Sequence, residues 1–541
     1  MASSAEPTAG AETRAGSGAH DCDVLVVGAG PTGLMMANWL VKLGVRVIVA
    51  DGKQGPTRES RALVLQARSI EVYDQLGISD VVLKAAHRAG ALAPGFGPRV
   101  FGRIPLGPAG AGVTPYPWIE VLEQSKNEEI LYANLRQLGG DVRWGSPVEA
   151  LTRTADGVEA TVGGETVRAR FCVGADGANS VVRRSRDIPF EGVTNQHLFY
   201  VIDATATGGL VENAINVRPG GEDFLLAFPM AGRGNWRLIG LARDSDGDGE
   251  VSEADARARM RSGFAVTYGD CRWYATYRVH HRVAAKFRDG PFFLTGDAAH
   301  VHSPVGCQGM NTGLQDAHNL AFKLADVIHG RAGDAWLDRY EAERRPVAKI
   351  LVATTDRLFG LVTSQKPTAR AVRRAIVPLL APIGVRVLPR GGGAARFFQY
   401  VSQIRIHYWM GPPGGARGVV VGRRLPWAGD NYAPLRSLQW QIHAYGDVDT
   451  SVVADLGLPV HVFPPAPRTA LRPDRLYLVR PDEFVAAEAA PAEAAEVFRN
   501  ALAAAGRSGA DASGSLTPVA DASGSLTPGA DASGGDLPTA G

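Results

Sequence analysis

The stretch GDAAHVHSPVGCQGMN, Gly296 to Asn311, gathers an acid (Asp297), two histidines (His300, His302), a proline (Pro304) and a cysteine (Cys307) ahead of Gly309-Met310-Asn311 and an amphipathic run. Imidazole and thiol are metal ligands, but no third ligand stands at metal spacing, so no metal is expected. The other chemistry open to it is a cofactor or anion held by the free N–H groups of a helix start. A second stretch, CDVLVVGAGPTGLMMANWLVKLGVRVIVAD, carries Gly28, Gly30 and Gly33 as G-x-G-x-x-G between an apolar strand and an amphipathic helix, with Asp51 closing the next strand. The first glycine permits the turn, the second lets backbone approach a pyrophosphate, and the third allows tight packing of helix on strand; the acid can accept from a ribose. A third, GADGANSVVR, sets Asp176 and Gly177 in a turn after the strand-like ARFCV, with Asn179 or Ser180 to cap the next helix.

Together the three motifs resemble the single-component class A flavoprotein monooxygenases, the aromatic hydroxylases of the p-hydroxybenzoate hydroxylase type. The resemblance covers about residues 21 to 410. It implies FAD as the bound cofactor, with NAD(P)H docking transiently to reduce it. O2 is the co-substrate, and a flavin C4a-hydroperoxide hydroxylates a bulky phenolic or polyketide-derived aromatic. Gly28, Gly30, Pro31, Thr32, Gly33 and Asp51 would hold the dinucleotide, with Asp176 and Gly177 from the second turn. Gly296 and Asp297 match the ribityl-binding turn, and the N–H groups of Gly309, Met310 and Asn311 would face the pyrimidine edge of the ring. Arg61 in RALVLQ and Gln124 in LEQSKNEEIL fall where the family places flavin contacts, and Pro304 matches the position whose carbonyl faces oxygen transfer, the catalytic position. Cys307 stands where the family usually has glycine; it reads as a small buried residue, since a reactive thiol would need a lowered pKa.

The expected fold class is α/β: a Rossmann-like FAD-binding domain, an inserted antiparallel-sheet substrate domain and a small C-terminal thioredoxin-like α/β domain. Residues 1–20 read as a disordered leader, 21–184 as the first part of the FAD-binding domain, and 185–285 as the substrate sheet. Residues 286–410 carry the second part and a helical region, 411–506 the thioredoxin-like unit, and 507–541 a disordered tail. Leader and tail, the latter repeating DASGSLTPVA, are too poor in apolar residues to fold. The break MGPPGGARG precedes the last unit, which contains strand-like WQIHAYG and RLYLVRPDEFVA. No cysteine follows Cys307, so that unit can do no disulfide chemistry.

In EDFLLAFPM, alternate residues Phe224, Leu226 and Phe228 share one strand face, a candidate pocket roof. Tyr274, Tyr277, His280 and His281 are candidate bases that spacing does not separate, and Arg183 and Arg184 are candidate partners for a nicotinamide phosphate. DSDGDGEVSEAD, residues 244–255, has acids spaced as in an EF-hand loop. A strand precedes it and Asp, not Glu, ends it, so an acidic solvated loop is expected.

The 541 residues carry 57 Lys and Arg against 55 acids, which provides no charge excess for nucleic acid or an anionic membrane. No apolar run approaches the ~18 residues of a membrane span. The first residues lack the pattern of a secretory signal, and the four cysteines include no C-x-x-C pair. A cytoplasmic monomer or homodimer is the expectation. On the same scaffold the competing activities are Baeyer-Villiger or other oxygenation. A flavin halogenase lacks its W-x-W-x-I-P signature here, and the intact run around Asp297 weighs against a non-catalytic FAD-binding protein.

Overall fold

The computed structural model describes residues 20–57, 62–205, 207–221, 223–242, 251–302, 307–363, 378–380, 382–385, 393–408 and 419–507, with side chains except at 194–197, 242, 278–279 and 356–363. Arg61, Pro304, the break at 410–418, the leader through residue 19 and the tail from 508 lie outside the described residues.

The apolar run CDVLVV forms the strand Cys22–Val27, central in an eight-stranded mixed sheet. It lies parallel to Val47–Asp51 on one side and to Glu165–Gly174 on the other. Phe292–Leu294 then pairs parallel to Glu165–Gly174. Register brings the strand ends together. Val27 pairs with Gly174, and Gly174 pairs with Leu294, so three strands distant in sequence end at one level. The glycine turn, the Asp176-Gly177 turn and the Gly296-Asp297 turn therefore emerge side by side, at the carboxyl ends of parallel strands where α/β sheets bind ligands. Helix Gly309–Ile328 is buried on nearly every side and packs on the fingerprint helix Pro31–Lys42, behind these turns.

The second sheet has nine strands, built around the antiparallel pair Phe190–Ala204 and Cys271–Ala284, with Trp236–Ala242, Phe224–Pro229 and Ala214–Pro219 beyond. It is not confined to 185–285. Ala91–Phe96 joins it parallel to Ala214–Pro219, Arg99–Val100 and Ile104–Pro105 pair on Ala91–Phe96, and His300–Val301 pairs with Cys271–Ala284. Short segments such as ALAPGF carry almost no local strand signal; pairing with a distant strand makes them strands. Phe199, Leu226, Phe228 and Ile239 pack on one face, whereas Tyr200, Leu225, Ala227 and Leu238 pack on the other against helix Glu253–Phe264. Of the acidic loop, residues 244–250 lie outside the described residues; its last acid, Asp255, closes a capping box with Ser252 at the start of that helix.

The C-terminal unit is a four-stranded sheet in the order Val460–Phe463, Gln441–Tyr445, Leu476–Val479, Val485–Ala489, with the first pair parallel and the others antiparallel, followed by helix Pro491–Ala504. RLYLVRPDEFVA is a hairpin rather than one strand. His443, on the Gln441–Tyr445 strand, is fully buried between Gln441 Oε1 at 2.9 Å and the Tyr445 hydroxyl at 3.3 Å. Burial, helped by His461, pushes its pKa down to about 3. The unfolded chain protonates this imidazole below about pH 6.5 and the folded chain does not, so its contribution is complete above 6.5 and is lost as pH falls. Denaturant titrations should show about 2 kcal/mol of His443-dependent loss between pH 7.5 and 5, absent in His443→Gln.

Candidate active site

Each glycine of the first turn has a separate reason. Gly28 has φ +98°, and a Cβ there would lie 2.5 Å from the Ala175 carbonyl oxygen. A Cβ on Gly33 would overlap the Gly28 carbonyl oxygen. Around Gly30 no described residue stands within 4 Å of where a Cβ would sit, so its missing side chain leaves the cleft open. Helix Pro31–Lys42 starts with proline at N1 and no side-chain cap, which leaves the N–H groups of its first turn to a ligand. Thr32 is wedged behind the turn: its Oγ1 lies 2.6 Å from where a Gly296 Cβ would sit and would overlap one on Gly313.

Asp51 accepts from the Ala29 N–H at 2.7 Å and the Lys53 N–H at 2.8 Å, so it braces the glycine turn while lining the cleft. Lys53 Nζ stands 3.7 Å from both Asp51 and Glu128. Gln124 donates to Glu128 at 2.9 Å and accepts from the Ala62 N–H at 3.2 Å. In the second turn Asp176 Oδ2 accepts from the Val181 N–H at 2.6 Å, whereas its buried Oδ1 has no partner among the described residues; burial raises this carboxyl's pKa. Gly177 beside it has φ +77°.

Asp297 projects into the cleft from the single turn Gly296–Ala298. Asp316, fully buried in the long helix, holds that turn: its Oδ2 accepts from the Gly296 N–H at 3.1 Å and lies 2.6 Å from His300 Nε2. Arg344 Nε donates to Asp316 Oδ1 at 2.6 Å. Burial alone would raise this carboxyl, but Arg344 and His300 hold it below the usual carboxylate range. At the helix start Gln308 provides no side-chain cap. The Asn311 side chain is used inward, accepting from the Gln66 N–H at 2.9 Å and the Ser69 hydroxyl at 2.7 Å and donating to the carbonyls of Val64 and Cys307. Met310 accepts at sulfur from Asn127.

Asp51, Gln124, Glu128, Asp176, Asp297 and Met310 line one cavity of about 800 Å³ that continues from Asp51 and the glycine turn past Asp297 and Gly309 to Ile239, Tyr277 and His280 of the second sheet. The partnerless Asp176 oxygen, the open space at Gly30 and the uncapped helix suit a dinucleotide with a pyrophosphate. Residues 21–355 match the family of the FAD binding domain. The chain belongs to that family. It is 33% identical over 424 residues to the 6-methylpretetramide 4-monooxygenase of Streptomyces rimosus, covering 74% of this chain and 73% of the relative. The rifampicin monooxygenase of Streptomyces venezuelae is 34% identical over 367 residues, 66% of this chain and 75% of its own. The solved structure of OxyS anhydrotetracycline hydroxylase from Streptomyces rimosus superposes with TM-score 0.72 at 28% identity, over 89% of this chain and 98% of that one. This protein is an FAD-dependent monooxygenase, with NAD(P)H and O2 as co-substrates.

Within the monooxygenase, several expectations change. Arg183 is not available to a nicotinamide phosphate: it is buried, donates to the carbonyls of Ala298 at 2.8 Å and Ala178 at 2.6 Å, and lies over the Phe190 ring. Arg184 is exposed. Of the four base candidates, the Tyr274 hydroxyl donates to Val251 on the far face and His281 is buried, whereas Tyr277 and His280 line the cleft. Phe224, Leu226 and Phe228 do share a face, as core behind the roof; Ile239 lines it. Asp316, Arg344 and Glu128 escaped sequence reading. For Asp316 the available signal was an acid on an otherwise buried helix.

Cys307 has φ +52°, which explains why glycine suits this position, and it lies half-buried on the cleft wall, where desolvation pushes its thiol up to about 12. The thiol is thus neutral at physiological pH. Mass spectrometry after iodoacetamide at pH 8 should find Cys307 unmodified in the folded protein. Cys307→Val, β-branched in left-handed backbone, should lower stability by about 1–2 kcal/mol, and Cys307→Gly should not.

Proposed function

We propose that this monooxygenase hydroxylates a bulky phenolic or polyketide-derived aromatic. The observation that carries the reading is the single cleft joining the dinucleotide turns to a wall of apolar and aromatic residues on the second sheet. There the Tyr277 ring stacks on Phe199, with centroids 5.6 Å apart and planes at 17°, a rigid surface for a flat substrate. The tetracycline and rifampicin chemistry named for the relatives supports the same substrate class.

In this proposal Gly28, Gly30 and the N–H groups after Pro31 take the pyrophosphate, where a free helix start favours an anion. Asp51 and Lys53 serve the ribose and adenine end, and Asp176 and Gly177 approach from the second turn. Asp297 accepts from the ribityl hydroxyls, and the N–H groups of Gly309 to Asn311 face the electron-accepting edge of the ring. When bound, FAD supplies two-electron reduction by NAD(P)H and transfer of one oxygen atom from O2. The chain's part is to orient the acceptor ring against Tyr277 and Ile239 and to exclude water from that end of the cleft. His280 and Tyr277 are the groups placed to take a hydrogen bond or proton from a phenol.

Residues 21–184 and 286–410 form the FAD-binding domain in this reading, 185–285 with the recruited strand Ala91–Phe96 the substrate sheet, and 411–506 a thioredoxin-like unit, for which the strand order and mixed pairing speak. Four unpaired cysteines fit a reducing compartment, the cytoplasm. Among the described residues no helix is long and apolar enough to cross a membrane.

Anaerobic reduction by NADPH and NADH, followed at the flavin absorbance with and without phenols and aromatic polyketides, tests the proposal. Bleaching accelerated by one aromatic class supports it and identifies the class. Reduction at one rate with every aromatic, and no oxygenated product in air, would overturn it.

A further inference from the structure

The tip of a hairpin is ordinarily its most exposed part. In the C-terminal unit the tip between Leu476–Val479 and Val485–Ala489 is the reverse: Arg480, Asp482, Glu483 and Phe484 are all at most 3% exposed. Glu483 is held at φ +70°, a conformation that a glutamate adopts only when its surroundings impose it. Two chains of contacts lead from this tip to the walls of the flavin cleft.

The first runs through Arg68. Its guanidinium donates to the Glu483 carboxylate, to the Asp482 carbonyl at 3.2 Å and to Glu71 at 3.2 Å, and lies 5.6 Å from the centre of the Phe484 ring. Arg68 is the second residue of helix Ala67–Leu76. Its neighbour Gln66 donates through its amide to the Cys307 carbonyl at 3.2 Å, and Gln66 and Ser69 hold Asn311. The second runs through Phe484, which stacks on Tyr408 at 4.1 Å and 21°. The Tyr408 hydroxyl accepts from Arg344 at 2.9 Å, and Arg344 reaches Asp316, which holds the Gly296-Asp297 turn, and the Thr312 carbonyl at 3.1 Å in the first turn of the long helix. Arg480 adds a buried bridge to Glu343, next to Arg344, at 2.8 Å.

We infer that Glu483 and Phe484 are positioning residues for the flavin: the buried tip sets Arg68 and Arg344, and these set the Cys307–Asn311 and Gly296–Asp297 walls. The C-terminal unit is then a working part of the cofactor site although none of its described residues lines the cleft. A flavin pocket depends on placing N–H groups and a carboxylate within a fraction of an ångström, which supporting contacts of this kind supply. The inference rests on the FAD reading of the cleft.

The test compares full-length wild type, Glu483→Gln, which keeps shape and removes charge, and Tyr408→Phe, which removes only the hydroxyl that Arg344 uses. Arg499→Ala, which breaks an exposed pair within the same unit, is the control. FAD dissociation constants from fluorescence quenching, the visible spectrum of bound flavin and the thermal midpoint are measured for each. Expected are weakening of FAD binding by about tenfold and a displaced flavin spectrum in both variants, with the control unchanged. Folded variants with wild-type affinity and spectrum would overturn the role and leave the tip as an anchor only. Should Glu483→Gln not accumulate, Tyr408→Phe decides by the same criteria. Wild-type protein that binds no FAD would overturn the cleft assignment itself, a result distinct from variants that match a flavin-binding wild type.

Discussion

Gly33→Ala is expected to yield protein without flavin. The added Cβ would overlap the Gly28 carbonyl oxygen, and both atoms belong to backbone fixed by strand Cys22–Val27 and helix Pro31–Lys42, so neither can yield as a flexible side chain could. Either the helix lifts from the sheet or the turn loses its shape; overpacking of this kind costs about 3 kcal/mol or more when backbone must move. Absorbance of the purified protein and its thermal midpoint read the outcome directly. Gly30→Ala provides the contrast. Nothing stands within 4 Å of its Cβ, so the fold should keep its midpoint while FAD binds about 10-fold or more weaker, the methyl group occupying the pyrophosphate's approach. If both variants lose stability equally, the division of labour among the three glycines is wrong.

Arg344→Met should destabilise the protein by about 3–5 kcal/mol, the range for removing one partner of a buried ion pair. Arg344 is completely buried and bonds simultaneously to Asp316, Tyr408 and the Thr312 carbonyl. Its loss leaves the Asp316 carboxylate in the interior with only His300 and the Gly296 N–H, and that carboxyl's pKa must rise from its depressed position. The variant should therefore lose most stability where its folded Asp316 is charged, above that raised pKa, and approach wild type as acid protonates it. Asp316→Asn in the Arg344→Met background should recover part of the loss. Urea titrations at pH 7 and 3 check the sign.

Much of the cofactor half was legible because its signals are local. A glycine at φ +98°, a helix that begins at Pro31 without a cap, and an acid at a strand end each follow from neighbouring residues. The same locality explains the errors. Arg183 read as a candidate free cation beside Arg184, yet the Ala298 carbonyl that takes its guanidinium lies 115 residues away and reaches it only through the fold. RLYLVRPDEFVA read as strand-like throughout because apolar residues stand on either side of a turn that the interior, not solvent, receives. Tyr274, Tyr277, His280 and His281 could not be sorted by spacing, since which face of a strand meets a cleft depends on what packs behind it.

The amino-acid sequence by itself determined the three turns, their glycines and acids, and the apolar strand and amphipathic helix around the first of them, because short-range sterics and periodicity specify these features; the flavin class followed from the resemblance that the three motifs carry together. Tertiary structure alone decided that Val27, Gly174 and Leu294 end at one level and that Ala91–Phe96 joins the second sheet. It also decided that a hairpin tip of the C-terminal unit lies buried against Arg68. The reason is that register, desolvation and ion pairing are properties of residues brought together from distant positions, and no window of sequence contains both partners.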